Sequence, residues 1–193
     1  MRKCKPKNCR VCKNTFQPMN SLQYACSPKC ALTATREKEA LRVARELKRS
    51  EKAAKRALKA RRDSLKSKRE WLNDLQRIVN RYVRLRDSQD GCISCDKPSS
   101  WAGQWHCSHF YTVGSSSYVR FNLWNMNKSC SVCNNFESGA IERYAPRLID
   151  KIGLERYEWL ERNHSNIASY DIEWIKRAIK VAKRGVKRLE NRQ

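Results

Sequence analysis

Four pairs of closely spaced cysteines limit what this chain can fold into more than any other feature. Two residues separate Cys9 from Cys12, three separate Cys26 from Cys30, and two separate each of the pairs Cys92/Cys95 and Cys130/Cys133. A short gap puts two sulfurs on one tight turn, and two such turns supply four thiolates for a tetrahedral zinc. A segment of this size then needs no other core. Ten cysteines could instead staple a secreted domain, but "MRKCKPK" shows no apolar run behind its charges, and the chain is strongly basic. In a reducing compartment paired spacings of this kind are read as metal ligands. The expectation is two structural Zn²⁺ ions, one on Cys9, Cys12, Cys26 and Cys30, the other on Cys92, Cys95, Cys130 and Cys133. Cys4 is a fifth candidate in the first set, so one of Cys4, Cys9 and Cys12 is spare. The two-residue gap favours Cys9 and Cys12.

The 193 residues carry 42 Lys and Arg against 19 Asp and Glu, a net charge of +23. Charge on this scale calls for a polyanionic partner, nucleic acid before an anionic membrane. No apolar run approaches the roughly 18–20 residues that span a bilayer. An intracellular protein with no membrane partner and no small-molecule cofactor is expected. The charge is concentrated: residues 31–70 hold fifteen Lys or Arg against six acids, between two cysteine-rich modules.

Residues 31–66 contain no Gly or Pro and read as one long helix from Ala, Leu, Lys, Arg and Glu. Its apolar seam (Leu47, Ala54, Leu58, Leu65) is thin and broken by Glu51 and Arg61. The segment is either a solvated spacer or an arm that follows phosphates or pairs with a second copy. Ser67 with Glu70 forms a capping box for a stronger helix, whose stripe Trp71, Leu72, Leu75, Ile78, Val79, Tyr82 and Leu85 predicts packing on the second module. A helix from Ile141 to Ile152 should stop at Gly153, and a short one follows from Leu154 to Arg162. The last helix starts near Ser169 or Asp171. It sets Ile172, Ile175, Ile179, Ala182, Val186 and Leu189 at alternating three- and four-residue steps, a seam for core packing or for self-association.

Between the knuckles of the second module lies "QWHCSHFYTVG". If Cys92, Cys95, Cys130 and Cys133 close one zinc shell, His106 and His109 are free for other work, and Cys107 is a small buried hydrophobe. The competing assignment puts His106 or Cys107 on the zinc and leaves a knuckle half used. Hydrolysis of a phosphodiester needs a base for water and a cation beside the phosphate. A neutral histidine suits the first task near pH 7.

The order Cys92-x2-Cys95, His109, Asn125, Cys130-x2-Cys133, Asn134 resembles the zinc-stapled HNH nucleases of the ββα-metal class. Those carry a His on the first strand, an Asn near the second, and a His or Asn at the helix start after the second knuckle. The endonuclease VII group likewise places Asn directly after its last zinc cysteine. Over essentially its full length the chain resembles the phage NinG/Rap recombination family. The matching features are the N-terminal knuckles with "CSPKC", the Lys/Arg-rich helix, "CISC", the "QW…H" strand, "RFN", "CSVCNN" followed by Ser138 and Gly139, and "IDKIG".

That resemblance implies metal-dependent cutting of branched recombination intermediates, Holliday junctions and D-loops, in the cytoplasm of a phage-infected or lysogenic bacterium. By similarity His109 is the base and Asn125 holds the loop or the imidazole. Asn134 is a ligand of one catalytic Mg²⁺ or Mn²⁺ per active site, and either His106 is a second ligand or a carboxylate comes from elsewhere. The chain also departs from the pattern. Ser108 stands where many HNH sites have Asp, His106 where the NinG-like pattern has Asp, and Asn127 where that pattern tends to have His. A neutral imidazole favours transition metals over hard cations.

The expected fold is mainly α with a small zinc-stapled ββα-metal (HNH-like) core. It divides into residues 1–30 (zinc module), 31–66 (basic helix), 67–140 (nuclease core) and 141–193 (C-terminal helices). Arg61, Arg62, Lys66, Arg120 and Lys128 are expected on DNA. Symmetric resolution of a four-way junction requires two sites, so a homodimer is expected, with the C-terminal seam available for pairing. The alternative from another class is a non-catalytic zinc-stapled DNA-binding or annealing protein. An RNA-binding accessory protein rests on charge alone.

Overall fold

Charge and propensity make the region after the first knuckles helical. In the computed structural model, which describes residues 4–136 and 140–192, this helix begins three residues earlier than expected. The Ser27 hydroxyl accepts the Cys30 amide at 3.3 Å, and Pro28 takes the first turn, where a missing N–H costs nothing. "CSPKC" is thus both a knuckle and a helix cap. The helix, α1 (Pro28–Ser64), runs 37 residues, about 55 Å at ~1.5 Å per residue. Ahead of it β1 (Lys7–Asn8) and β2 (Thr15–Phe16) pair antiparallel. Cys9 and Cys12 lie in their turn, closed by the Lys13 amide donating to the Cys9 carbonyl at 3.0 Å. No residue of α1 is buried, and Leu41, Leu47 and Leu58 are 59–65% exposed.

The chain divides into two compact units, one ending at Leu65 and the other beginning at Lys66. The second opens with the expected capping box: Ser67 Oγ accepts from the Glu70 amide, and Glu70 Oε2 accepts from the Ser67 amide at 2.7 Å. This starts α2 (Lys68–Arg86), which buries Trp71, Leu75, Val79 and Val83 at every fourth position. Their partner is α6 (Ile172–Glu190), capped by Asp171 and facing α2 with Ile175 and Ile179. At Gly185 an added Cβ would sit 2.9 Å from the Tyr82 ring, so the two helices meet closely there. The C-terminal seam is consumed inside the chain, which corrects the expectation that it could pair two copies. For the same reason residues 67–140 and 141–193 form one unit rather than two regions.

Between α2 and the rest lie β3 (Trp105–His109) and β4 (Met126–Cys130). They pair antiparallel, with Trp105 opposite Cys130 and His109 opposite Met126. The short α3 (Ser131–Asn135) follows directly, giving a local strand–strand–helix order. Cys107 and Met126 join the α2–α6 core. A second core gathers Ile93, Phe110, Val119, Tyr144, Leu148 and Leu160 with α4 (Ile141–Ile152) and α5 (Leu154–Asn163). Gly153, at φ 84°, separates those two helices where the sequence predicts a stop. Each fully buried aliphatic or aromatic side chain here is worth ~1.5–3 kcal/mol relative to exposure.

A polar staple joins α2 to the hairpin. Arg86 holds Asp87 at 2.7 and 2.8 Å and donates to the carbonyls of Leu123 and Met126. Asp87 Oδ2 also accepts from the Lys128 amide and pairs with Lys151, both at 3.1 Å. Burial opposes charge on Asp87, but Arg86 and Lys151 outweigh it and hold its carboxyl below the usual range. Among the described residues no helix is long and apolar enough to cross a membrane.

Candidate functional site

The site is built upward from the second cysteine set. Cys92, Cys95, Cys130 and Cys133 bring four sulfurs within 4.8 Å of one another, and Cys9, Cys12, Cys26 and Cys30 do the same. Sulfur pairs at 3.5 Å (Cys12–Cys26) and 3.8 Å (Cys95–Cys130) match the edge, about 3.8 Å, of a tetrahedron with Zn–S near 2.3 Å. Both donor sets fit zinc. Cys4 is therefore the spare, and no histidine enters either shell. Cys107 is buried, its thiol pushed up to about 12 by desolvation, and serves as core. Cys130 ends β4, belongs to the thiolate set, and caps α3 by accepting the Cys133 amide at 3.4 Å. A zinc held there would fix where Asn134 stands.

Asn134 reaches back to β3, its amide nitrogen 3.2 Å from His106 Nδ1. His109 lies three residues on, so strand alternation would send the two rings to opposite faces of the hairpin. A polar row on α2 nevertheless links them. Gln76 Nε2 is 3.3 Å from His109 Nε2 and donates to Asn80 Oδ1 at 2.8 Å, and Asn80 lines a cleft with Arg84, Gln104, Trp105, His106, Cys107 and Asn134.

The hydrogen-bond network assigns the protons. Arg120 Nε can only donate, so the oxygen of Gln76 faces it at 3.0 Å. The Gln76 amide nitrogen therefore donates to His109 Nε2, leaving that nitrogen without a proton of its own. The nearby backbone of Arg120 favours a proton on the ring, but burial outweighs it. Burial lowers the His109 pKa to about 4, so the imidazole is neutral at pH 7.

Asn125 is fully buried, and its amide binds the loop rather than the imidazole. It accepts from the Tyr111 amide at 2.8 Å and donates to the carbonyls of Tyr111 and Val119 at 3.0 and 3.2 Å. It pins both ends of the segment that leaves β3, which keeps His109 at the hairpin's rim. Asn127 is likewise buried, donating to Tyr144 Oη and the Trp124 carbonyl.

The expected catalytic Mg²⁺ or Mn²⁺ fits less well than zinc. His106 Nδ1 is taken up by the Asn134 amide, and no Asp or Glu lines their cleft. Among the described residues the two cysteine sets are the sole groups of three or more Cys, His, Asp or Glu with converging ligand atoms. As the side chains stand, His106 and Asn134 form a hydrogen bond, not a pair of ligands for a hard cation.

In the first unit, Lys38, Arg42, Arg45, Arg49, Lys52, Arg56 and Lys59 recur on α1 at alternating four- and three-residue steps, all exposed. That spacing forms one continuous basic stripe. Arg42 is bridged to Glu39 and Glu46 at 2.6 and 3.1 Å.

Comparison with known proteins sets this geometry in a family. The family of the bacteriophage lambda NinG protein matches residues 1–192. The NinG protein of Escherichia phage lambda is 37% identical over 175 residues, covering 85% of this chain and 81% of its own. The chain belongs to the NinG family. Within that family the NinG proteins of Salmonella phage P22 (36% identical, 84% and 81% covered) and Enterobacteria phage H19B (35%, 96% and 94%) are also similar to it. No solved structure matches.

For this NinG chain several sequence-based expectations need correction. Lys128 is 3% exposed, with Nζ on the Ser88 carbonyl and over the Trp105 ring, so it is not available to DNA. Lys66 is tied to Asp74 at 2.6 Å and lies over Trp71. Arg120 belongs to the histidine site through Gln76, while Arg61 and Arg62 stand exposed in the last turn of α1. The Ser138–Gly139 feature of the NinG pattern lies outside the described residues. Sequence reasoning missed Gln76, Asn80 and Arg84. Their signal was polar residues at every fourth position, each directly after an apolar one of the α2 stripe.

Proposed function

We propose that this NinG-family chain is a structure-selective DNA endonuclease. It hydrolyses phosphodiesters in branched recombination intermediates, Holliday junctions and D-loops, with an HNH-like ββα core over residues 67–140. The observation that supports this most is His109. It is a neutral imidazole with Nε2 unprotonated, held at the rim of a zinc-stapled hairpin by groups that fix its tautomer. Such a nitrogen can take a proton from water as Gln76 gives way, a contribution of ~10²–10⁴-fold. Asn125 acts as a positioning residue through the loop. His106 and Asn134, bonded to each other in a cleft without a carboxylate, do not hold the expected Mg²⁺ or Mn²⁺ by themselves, so a divalent requirement would be met through oxygens of DNA and water. The basic stripe of α1, with Arg61 and Arg62, supplies sequence-independent phosphate contacts that weaken steeply with salt. Action as a homodimer needs a surface other than the α6 seam.

The carboxylate-free cleft favours the second reading, a zinc-stapled binder or annealer that does not cut. The test places the protein on a labelled four-way junction and a matched linear duplex, each with Mg²⁺, Mn²⁺ or EDTA. A His109→Ala variant of verified zinc content runs beside it. Metal-dependent cuts confined to the junction, and lost in the variant while binding persists, are the expected result. Tight binding without cuts under every condition selects the binder. Loss of binding in the variant makes His109 structural.

A further inference from the structure

The cleft beside His106 has the wrong chemistry for a cation and the right chemistry for an anion. Arg84 projects from α2 into it, half-buried, and makes no ion pair or hydrogen bond among the described residues. A guanidinium carries five N–H donors and no acceptor, and a fork of that shape matches phosphate oxygens. Neighbouring groups that line the cleft also carry unspent donors. Asn80 spends its oxygen on Gln76, so its amide hydrogens are free. His106 accepts from Asn134 at Nδ1, which places its own proton on Nε2. No carboxylate lines the cleft, whose volume of about 550 Å³ is in the range of ligand pockets, roughly 300–1,000 Å³.

We propose that Arg84, Asn80 and the Nε2–H of His106 form a phosphate-binding site that receives a phosphodiester directly, without an intervening metal. This deepens the endonuclease reading and rests on it for taking the phosphate to be the scissile one in DNA. Anion binding itself stands apart from that reading. The location agrees with both. Asn80 shares a hydrogen bond with Gln76, which in turn touches His109, so one row of α2 side chains joins the cleft to the base. Two zinc-linked features, Asn134 on α3 and His106 on β3, form the opposite wall.

The experiment titrates inorganic phosphate into the zinc-loaded full chain at constant ionic strength. It follows the Arg84 Nε–H and the side-chain amides of Asn80 and Asn134 by NMR, with Arg84→Gln in parallel. Saturable shifts at all three residues, absent at Asn80 and Asn134 in the variant, are expected. Shifts that match a chloride control, or that survive in Arg84→Gln, overturn the site. A second arm measures single-turnover cutting of a four-way junction. Arg84→Gln should lower it about 10²-fold, as loss of a preorganised oxyanion donor does, with junction affinity changed less than about tenfold and part of the rate restored by Arg84→Lys. A chain that takes phosphate at this site but never cuts sinks the endonuclease reading alone. Unchanged cutting in Arg84→Gln sinks this one alone.

Discussion

Two sets of four thiolates serve the two units in different ways. In the first, the knuckles of residues 9–30 sit under a hairpin of two-residue strands, and the helix that follows buries nothing. There a metal on the four thiolates would be the core. In the second, the same donor set is one staple among three: the thiolate cluster, the α2–α6 core and the α4–α5 core. A chain of identical ligands can thus be indispensable to folding in one place and an aiming device in another. What decides is how much apolar surface surrounds it.

Chelation should give the largest contrast. Structural zinc contributes ~10–16 kcal/mol of apparent binding free energy in small modules, so residues 7–30 should lose all protease protection while α2 and α6 keep theirs. Equal and early loss in both units breaks the comparison. Next in size, Ile175→Ala should cost about 2–5 kcal/mol of the second unit's stability, by denaturant melts, and leave the first unit untouched.

The second unit carries a pH effect through His109. The folded-state His109 value near 4 lies below the ordinary 6.5, so the unfolded chain binds the proton first as pH falls. Stability from this group is flat above pH 6.5, declines between 6.5 and 4, and drops by up to about 3 kcal/mol. Thermal melts of the wild type should therefore fall more steeply over that window than those of His109→Gln; parallel curves refute the buried neutral ring. The smallest effect is Leu47→Ala on α1, within about 0.5 kcal/mol; a larger loss would mean that this face is covered in solution.

Much of this was legible from spacing and caps. The cysteine sets, the Ser67–Glu70 box, the Gly153 stop and the apolar stripes of α2 and α6 are local or periodic signals, and each appears where such signals place it. The partner of a stripe is not local. Nothing in Ile172–Leu189 says whether a second copy or α2, roughly a hundred residues earlier, covers it, and Lys128 reads as a surface cation until Asp87 and Trp105 enclose it. The candidate site was half legible for the same reason. His106, His109, Asn125 and Asn134 stand out beside the knuckles, whereas Gln76, Asn80 and Arg84 look like ordinary solvated helix positions until the strand is laid beside them.

The pairing of α2 with α6 also sets a timetable. The first helix of the second unit waits for the last, and at ~5–20 residues per second of synthesis the hundred-odd residues between Leu75 and Ile175 take about five to twenty seconds to emerge. Throughout that interval the stripe Trp71–Val83 has only the β3–β4 hairpin to pack on and lacks its cover of Ile175 and Ile179. The hairpin can form early, yet the α2–α6 core beneath the row that holds His109 is completed only once α6 has emerged.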